Sequence, residues 1–409
     1  MPLTGGGREG GGLVSKRRRS TTGERRQGPD VARDVPSALP SLRDLPVWGD
    51  LSPSERQRAD FARMCETLAL AGDVRGEELF LGCVVCLDRG FPAVLFEGGV
   101  ARAEFAAQLT KSGFSRIAVG DWVCLRIAPG HEMAQAAGIV VRENDIARWR
   151  GGSRGERQTL AANIDLVLVV QPVGGGDSGA GLGRIARSAL VAADCHAQIA
   201  VVLTKADRLD EEGIVRAVAG VRELLGDEVP VVVTSTADAD PECESRGEAV
   251  RALGASWGLD GIRELVPKGT TSIVLGESGA GKSTFLNRIL ERDVLRTGAV
   301  RGRDGAGRHT TVARRMVRLP GGGVVVDEPG LRSLPLMGHE RGLATLFPEV
   351  ARAARACRFR DCTHTHEPGC AVRRARADGT CKRARVDAWV SLAAEMRAGA
   401  SSLDPDVLL

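Results

Sequence analysis

Aromatic side chains are scarce in this 409-residue sequence, which has no tyrosine and only 3% aromatic residues in total. Long apolar runs are also missing, because none approaches the roughly 18 residues that a membrane-spanning helix needs. The formal net charge is only +4, so the chain as a whole is not a polycation. These absences argue against a membrane protein and confine any nucleic-acid contact to local basic patches.

The amino-terminal stretch contains basic residues but no apolar segment, so the sequence predicts no secretory signal. We therefore expect a cytoplasmic, reducing environment. In such a compartment the ten cysteines should be free thiols or metal ligands rather than disulfides.

Residues 1–55 are rich in Gly, Arg, Ser and Pro and carry too little apolar surface to offset the entropy cost of ordering. The sequence predicts a disordered basic tail there, and its KRRRS cluster at 16–20 is either an RNA contact or a solvated charge cluster. A short helix is predicted over about 53–71, between a Ser-Pro start and a Gly stop. We assign residues 1–76 to an amino-terminal extension.

From residue 77 to 149, short segments of alternating apolar and polar residues are separated by Gly and Pro. Roughly five strands in this space predict a small OB-like β-barrel. The segment is poor in the aromatic residues that stack on bases. Cys83 and Cys86 are spaced like half a zinc site, but strand positions three apart point to opposite faces and no second pair follows. Core packing is therefore the favoured interpretation.

Residues 150–335 contain β-branched apolar runs that alternate with helical stretches, a pattern typical of a parallel sheet covered on both faces. Polar motifs follow four of the predicted strands: TKAD, TSTAD, GESGAGKS and DEPG. Ligands of such sheets bind at the carboxyl ends of the strands. We therefore expect the four loops to build one site in an α/β domain.

The segment GESGAGKST at 276–284 fits the phosphate-loop pattern G-x-x-x-x-G-K-[ST]. Backbone N–H groups and the positive end of the following helix would bind phosphates, with Lys282 on the β/γ-phosphates and Ser283 on Mg²⁺. The loop residues expected to contact the nucleotide are Gly276, Glu277, Ser278, Gly279, Ala280, Gly281, Lys282, Ser283 and Thr284.

The TKAD motif at 204–207 has the form of a guanine-reading element, although it precedes the phosphate loop instead of following it. Either the match is chance, or the domain is circularly permuted, which leaves the geometry of the site intact. Asp207 can accept hydrogen bonds from guanine N1–H and N2–H₂, and the stem of Lys205 can cover the base. Thr204 begins the motif, and Ser235 offers a second base contact.

Asp327 ends an apolar strand in VVVDEPG, where it can hold Mg²⁺ through water, and Gly330 can offer its N–H to the γ-phosphate. The glycine-rich stretch 302–314 is expected to be mobile. There, Thr310 or Thr311 could complete the Mg²⁺ shell when a γ-phosphate is present, and an ordinary surface loop is the alternative.

No glutamine follows DEPG to orient an attacking water, because Leu331 occupies that place. Free hydrolysis is therefore expected to be slow. His309 is a candidate for the missing group, but it could equally be a plain loop residue, and a partner could supply the group instead. The predicted catalytic residues are Lys282, His309 and Thr310.

The segment CRFRDCTHTHEPGC at 357–370 concentrates metal-ligand side chains. Cys357, Cys362, His364 and Cys370 form a Cys₃His set suited to one structural, tetrahedral Zn²⁺, and His366 and Cys381 are possible substitutes. The surrounding basic residues would suit RNA phosphates or form a solvated charged face. They are Arg358, Arg360, Arg373, Arg374, Arg376, Lys382, Arg383 and Arg385. Residues 383–397 predict a helix with an apolar stripe that packs in the core, so residues 336–409 form a predicted α-helical zinc-binding domain.

Together, a barrel, TKAD before GESGAGKST, RHTT at 308–311 and FRDCTHTHEPGC resemble the ribosome-small-subunit-dependent GTPase A family, called RsgA or YjeQ. The resemblance covers about residues 77–397 and includes the phrase AANIDLV at 161–167. It implies a circularly permuted GTPase that uses GTP, Mg²⁺ and one Zn²⁺. It also implies binding to the small (30S) ribosomal subunit and its rRNA, assistance in late subunit maturation, and subunit-stimulated hydrolysis. We expect a monomer that does not bind membranes.

Two departures from the family pattern concern the site. Thr204 replaces the usual Asn of the base motif, which predicts a weaker loop-bracing hydrogen bond, and Glu328 adds a carboxylate near the phosphates. The alternatives are an RNA-binding assembly factor with a structurally bound nucleotide and little hydrolysis, or a phosphate-loop ATPase or small-molecule kinase.

Overall fold

A computed structural model describes most of the chain. The described residues are 44–71, 78–88, 91–106, 117–131, 133–149, 157–174, 180–235, 243–277, 279–290, 314–327, 336 and 338–401. Residues 1–43 of the predicted tail (1–55) and residues 302–313 of the predicted mobile stretch (302–314) therefore lie outside the described residues, and Arg314 begins a strand.

Strands and helices are numbered in chain order. The strands are β1 (Leu79–Asp88), β2 (Phe91–Phe96), β3 (Gly99–Phe105), β4 (Trp122–Arg126), β5 (Ala134–Ile139), β6 (Asp145–Trp149), β7 (Arg157–Ala162), β8 (Leu166–Pro172), β9 (Gln198–Thr204), β10 (Val231–Val233), β11 (Ser256–Trp257), β12 (Thr271–Leu275), β13 (Arg314–Arg318) and β14 (Val324–Asp327). The helices are α1 (Glu55–Leu70), α2 (Ala180–Asp194), α3 (Glu211–Leu225), α4 (Cys243–Ala252), α5 (Asp260–Leu265), α6 (Lys282–Ile289), α7 (Glu340–Leu346), α8 (Pro348–Arg355), α9 (Ala371–Ala377) and α10 (Arg383–Ser401). Within these ranges no helix is long and apolar enough to cross a bilayer.

Strands β1 to β5 form a closed barrel in the order β1-β2-β3-β5-β4, because β4 pairs back onto β1. The β3–β5 pair is parallel, and the other neighbours are antiparallel. Val84, Val94 and Leu125 are fully buried inside the barrel. The predicted five-stranded barrel is therefore present.

A bulge in β1 changes the orientation of the CVVC cysteines. Val84 pairs with Val94 and Cys86 pairs with Ala93, so one extra residue is inserted between the two pairs. As a result, Cys83 and Cys86 both pack in the large core cluster, whereas Val84 packs inside the barrel. The prediction that the two thiols point to opposite faces is wrong, because it assumed regular alternation. Their packing in the core is confirmed, with 1% and 0% exposure.

The central sheet has the order β11-β10-β9-β8-β12-β14-β13, and all of its neighbours are parallel except the pair β13–β14. Alternate residues of β8 face two different cores. Val167 packs with the cluster that includes Ile185 of α2, and Leu168 packs with the cluster that includes Ile289 of α6. Burial on both faces explains why this strand is a continuous apolar run, and the predicted α/β architecture is confirmed.

Strand β13 joins the central sheet to the barrel. It pairs with β14 on one side and with β1 on the other, where Arg315 lies opposite Cys86. The barrel and the central sheet are thus parts of one hydrogen-bonded sheet of twelve strands.

Part of the assigned amino-terminal extension is folded into this body, which corrects its description as a tail. Leu51 is 7% exposed, and Trp48 lies edge-on against Trp122 of the barrel, with ring centroids 5.7 Å apart. Helix α1 follows, with Ser54 and Gln57 forming a capping box. The Gly- and Arg-rich composition predicted too little apolar surface for folding. Trp48 and Leu51 nevertheless supply enough apolar surface to pack against the barrel and the core.

A buried ionic network holds the β6–β7 hairpin to the barrel. Asp121 is fully buried and accepts hydrogen bonds of 2.6 and 2.7 Å from Arg142. Arg142 also donates to Thr159, which donates to Asp145 at 2.7 Å. These groups satisfy each other's hydrogen bonds and hold the hairpin against the barrel. The predicted domain boundary at residue 149 therefore falls inside a hairpin that is bound to the barrel.

The carboxyl-terminal helices dock on α2 and α3. Arg385 of α10 donates to the carbonyl oxygen of Leu224 near the end of α3 at 2.7 Å and also pairs with Glu349 of α8. At the end of α2, Asp194 accepts from the backbone N–H of Gly342 at 3.0 Å and lies 2.8 Å from His339 Nδ1. The predicted α-helical carboxyl-terminal domain is present, with Val386, Trp389 and other apolar residues of α10 buried.

Candidate nucleotide and metal sites

The phosphate loop connects β12 to α6 at the carboxyl edge of the central sheet. Gly276 has a φ of +157°, and a Cβ there would lie 2.3 Å from the carbonyl oxygen of Val170. Gly279 and Gly281 have φ values of +83° and +88°, in the left-handed region that favours glycine. This backbone, followed at once by the first turn of α6, is suited to binding phosphate through N–H groups.

Lys282 begins α6, and its ammonium lies over the loop. It donates to the carbonyl oxygen of Glu277 at 2.7 Å and also to that of Gly276. Ser283 and Thr284 follow in the first helical turn, and Ala280 is buried. Lys282 and Ser283 therefore stand where the pattern requires a phosphate cation and a Mg²⁺ ligand, and Ser278 lies outside the described residues.

The TKAD segment contacts the phosphate loop directly, although 70 or more residues separate them in the chain. The Thr204 hydroxyl donates to the carbonyl oxygen of Ala280 at 2.8 Å, and this contact is buried. Lys205 has a left-handed backbone, with φ of +60°, and donates to the carbonyl oxygen of Gly279 at 2.8 Å. The loop-bracing hydrogen bond at Thr204 is therefore present and of normal length.

Asp207 and Ser235, predicted on separate loops, are brought together. The Ser235 hydroxyl donates to Asp207 Oδ1 at 3.1 Å. Arg288 of α6 donates to the carbonyl oxygen of Ser235 at 2.8 Å, which ties this loop to the helix of the phosphate site. TKAD precedes the phosphate loop in the chain by about 70 residues. In space, however, the base-reading residues lie beside the phosphate-binding loop.

Asp327 ends β14, the strand beside β12, and is opposite Arg315 of β13. Burial raises the pKa of its carboxyl, and the positive charges of Arg315 and Lys282 oppose that rise. Because β14 runs parallel to β12 and ends at the same edge of the sheet, Asp327 lies on the side of the phosphate loop, as an indirect Mg²⁺ ligand requires. The predicted residues Thr310, Thr311, His309, Gly330 and Leu331, with Glu328, lie outside the described residues.

The carboxyl-terminal cluster has the dimensions of a tetrahedral metal site. The ligand atoms of Cys357, Cys362, His364 and Cys370 all lie within 4.8 Å of one another. The sulfur atoms of Cys357 and Cys370 are 3.9 Å apart, and each is 3.6 Å from His364 Nδ1. Metal–sulfur bonds of about 2.3 Å in a tetrahedron place sulfur atoms about 3.8 Å apart. The four side chains therefore fit Zn²⁺, and His366 and Cys381 are not members of the cluster.

The surroundings of the cluster support the same interpretation. Cys370 is the N-cap residue of α9. Its sulfur accepts a hydrogen bond of 3.4 Å from the Arg373 backbone N–H, which orients the ligand. Arg358, Phe359 and Arg360 are exposed beside it. Arg385 was included in the predicted basic surface, but it is half-buried and binds Glu349, so it is removed from that surface.

Charged residues of α2 beside the phosphate loop were missed by the sequence analysis. Arg184 Nε lies 3.0 Å from Glu277 Oε2, and Arg187 pairs with Glu395 of α10. Neither arginine belongs to a sequence motif, so local patterns gave no signal for them.

Comparisons with known proteins agree with this geometry. The model of a family described as RsgA GTPase matches residues 139–337. "Small ribosomal subunit biogenesis GTPase RsgA" of Streptomyces avermitilis is 35% identical over 87% of this chain and 89% of the relative. The protein with the same description from Opitutus terrae is 39% identical over 80% of this chain and 87% of the relative. The crystal structure of YjeQ from Thermotoga maritima superposes with a TM-score of 0.54 at 23% identity, covering 78% of this chain and 99% of that one.

Proposed function

Because the chain belongs to the RsgA GTPase family, we propose that it hydrolyses GTP to GDP and phosphate and assists the late maturation of the small ribosomal subunit. The observation that carries the nucleotide choice is the Asp207–Ser235 pair, joined to the phosphate loop through Thr204 and Lys205. A carboxylate at this place accepts from guanine N1–H and N2–H₂, which adenine cannot offer.

Each described site residue has a distinct task in this proposal. Lys282 neutralises the β/γ-phosphates, the loop N–H groups bind their oxygens, and Ser283 with Asp327 holds Mg²⁺. When bound, Mg²⁺ withdraws charge from the phosphate oxygens and so stabilises the leaving group. The contribution of the protein is therefore mainly positioning and charge neutralisation.

We assign to the remaining predicted residues the tasks that the motifs indicate. Thr310 or Thr311 completes the Mg²⁺ shell, Gly330 binds the γ-phosphate, and His309 positions the attacking water. Leu331 cannot orient water, so hydrolysis by the free protein is slow and the small subunit stimulates it.

The partner contact in this proposal is ribosomal RNA at the zinc-binding domain of a monomeric, cytoplasmic protein. Arg358 and Arg360 are exposed on either side of Phe359, which is 39% exposed, and Arg373 and Arg374 are exposed on the adjoining helix. Guanidinium groups around an exposed aromatic ring suit phosphates and unpaired bases.

The test is phosphate release from GTP and from ATP, each with and without purified small ribosomal subunits. GTP-selective release that rises about tenfold with subunits would support the proposal. ATP turnover that ignores subunits would refute it, and subunit binding without stimulated turnover would favour a binding factor that holds nucleotide as a structural ligand.

Asp207→Asn tests the base reader within the same assay. We expect it to reduce the preference for GTP over ATP by at least tenfold, because the amide cannot accept both guanine donors. Asp260→Asn, an exposed substitution on α5, is the matched control and should leave the preference unchanged.

A further inference from the structure

Two arginines of α2 connect the phosphate loop to the zinc-binding domain. Arg184 pairs with Glu277 of the loop at 3.0 Å, and Arg187, one turn later, pairs with Glu395 of α10. Residues three positions apart lie on the same face of a helix, so Arg187 is on the side of α2 from which Arg184 contacts Glu277. The Glu277 carboxylate accordingly opposes the lowering of the Arg187 pKa by burial. Two ion pairs, one helical turn apart on α2, therefore lie between the loop and the carboxyl-terminal helix.

The Glu277 carboxylate has an electrostatic cost in a phosphate site. Like charges repel, and the carboxylate belongs to a loop whose other features, Lys282 and the start of α6, favour anions. The two α2 guanidiniums offset this negative charge. Arg187 pairs with Glu395, so less of its charge is available to Glu277.

The far end of α2 is held rigidly by the same domain. Asp194 accepts the backbone N–H of Gly342 at 3.0 Å, and a Cβ on Gly342 would lie 2.5 Å from Asp194 Cβ. Helix α7 thus lies against the last residue of α2 with no spare room. A displacement of the carboxyl-terminal helices must move or strain α2.

We propose that Arg184 and Arg187 are positioning residues through which the zinc-binding domain controls the phosphate loop. In the free protein Glu395 draws Arg187 away from Glu277, which lowers the affinity of the loop for nucleotide. A partner that displaces α10 releases Arg187 toward Glu277 and raises that affinity. This relay, from α10 through Arg187 and Arg184 to Glu277, rests on the proposed GTPase function and adds the route of its regulation.

The first test is a double-mutant cycle on nucleotide affinity, measured with fluorescent GDP and GTP analogues. Arg184→Gln should weaken binding about two- to fivefold, the range for an exposed charge pair. Arg184→Gln should lose its effect in a Glu277→Gln background, because no loop carboxylate is left to neutralise. Equal effects in both backgrounds would overturn the proposal.

Glu395→Gln tests the connection to the zinc-binding domain. We expect about two- to fivefold tighter nucleotide binding and a smaller stimulation of hydrolysis by subunits. The tighter binding, measured without subunits, should fade in 1 M salt. Glu212→Gln removes another exposed pair, with Arg216 on α3 at 2.6 Å, and is the matched control that should change neither quantity. Binding by Glu395→Gln that matches wild type would contradict the relay.

A charge swap tests whether the Arg187–Glu395 pair regulates nucleotide binding or only holds α10 against α2. Arg187→Glu combined with Glu395→Arg restores the pair between α2 and α10 but adds a negative charge beside Glu277. The relay predicts thermal stability near wild type with nucleotide binding weaker than in wild type. Recovery of both properties would reduce the pair to a docking contact and refute the proposal.

Wild-type protein in the same assays distinguishes failure of the proposed function from failure of the relay. If subunits do not stimulate GTP hydrolysis by wild type, the proposed function fails, whatever the variants do. If they stimulate wild type and the variants behave identically, only the relay fails.

Discussion

The backbone at Gly276 leaves no room for a side chain. A Cβ there would lie 2.3 Å from the carbonyl oxygen of Val170 on the neighbouring strand β8. We expect Gly276→Ala to lower nucleotide affinity at least tenfold and to cost about 1–3 kcal/mol of stability, because loop or strand must shift. Nucleotide titration and thermal unfolding measure the two effects.

Gly183→Ala is the matched control for this substitution. Gly183 lies within α2, and a Cβ there would meet nothing within 4 Å, so alanine should leave affinity unchanged and slightly favour the helix. If Gly276→Ala also binds nucleotide normally, the close approach to Val170 is not what requires glycine in the loop.

Single residues show why part of the site was predictable. Parallel strands end at one edge of the sheet, so motifs such as TKAD and GESGAGKST meet there whatever their chain order. The Arg184–Glu277 pair joins residues 93 positions apart. Local sequence patterns do not encode such a partner, and no motif marked either arginine.

At the scale of elements, we expect the segment from Cys357 to α9 to need a bound metal for its structure. Removal of Zn²⁺ with a chelator should reduce the helical circular-dichroism signal, because the four ligands close a segment with little core of its own. Readdition of Zn²⁺ should restore the signal. An unchanged signal after complete removal would mean that packing alone holds the segment.

Zinc content distinguishes the predicted ligands. His364→Asn should lower the bound zinc well below one per chain, because asparagine tolerates the left-handed backbone at φ +64° but is a poor zinc ligand. His366→Ala should retain one zinc per chain, since His366 lies outside the cluster. Equal zinc in the two variants would contradict this ligand set.

Elements also show where sequence patterns fail. Strand β1 was predicted from its alternation, but its bulge at CVVC moved Cys86 to the face of Cys83. A single inserted residue is set by pairing with β2, a tertiary property, so periodicity alone cannot reveal it. Helices α2, α3 and α10 were predictable because their apolar residues recur at helical spacing.

At the scale of the whole molecule, Asp194 at the end of α2 binds the carboxyl-terminal domain through His339 and the backbone N–H of Gly342. Burial alone would raise the pKa of its carboxyl, but His339 and the Gly342 N–H hold it below the ordinary value of 3.8. A lowered pKa means stabilisation that is fully present above that value and is lost as the pH falls through the folded-state pKa.

Asp194→Asn should therefore destabilise the protein by about 1–3 kcal/mol at pH 7. The difference from wild type should shrink below about pH 4, as protonation makes the two side chains alike. Paired denaturant unfolding curves across this range measure it. A difference that persists at full size well below about pH 3 would contradict the assigned pairing.

The pairing of β13 with both β14 and β1 governs how the chain can be divided. Expressing the barrel without the residues that follow would leave β1 short of a neighbour, and expressing the nucleotide-binding half alone would expose β13 as an edge. Unpaired edges promote aggregation. The helices of residues 338–401 pack into the same core as the central sheet, so removing them would expose apolar surface as well. Soluble fragments should therefore keep residues 44–401 together.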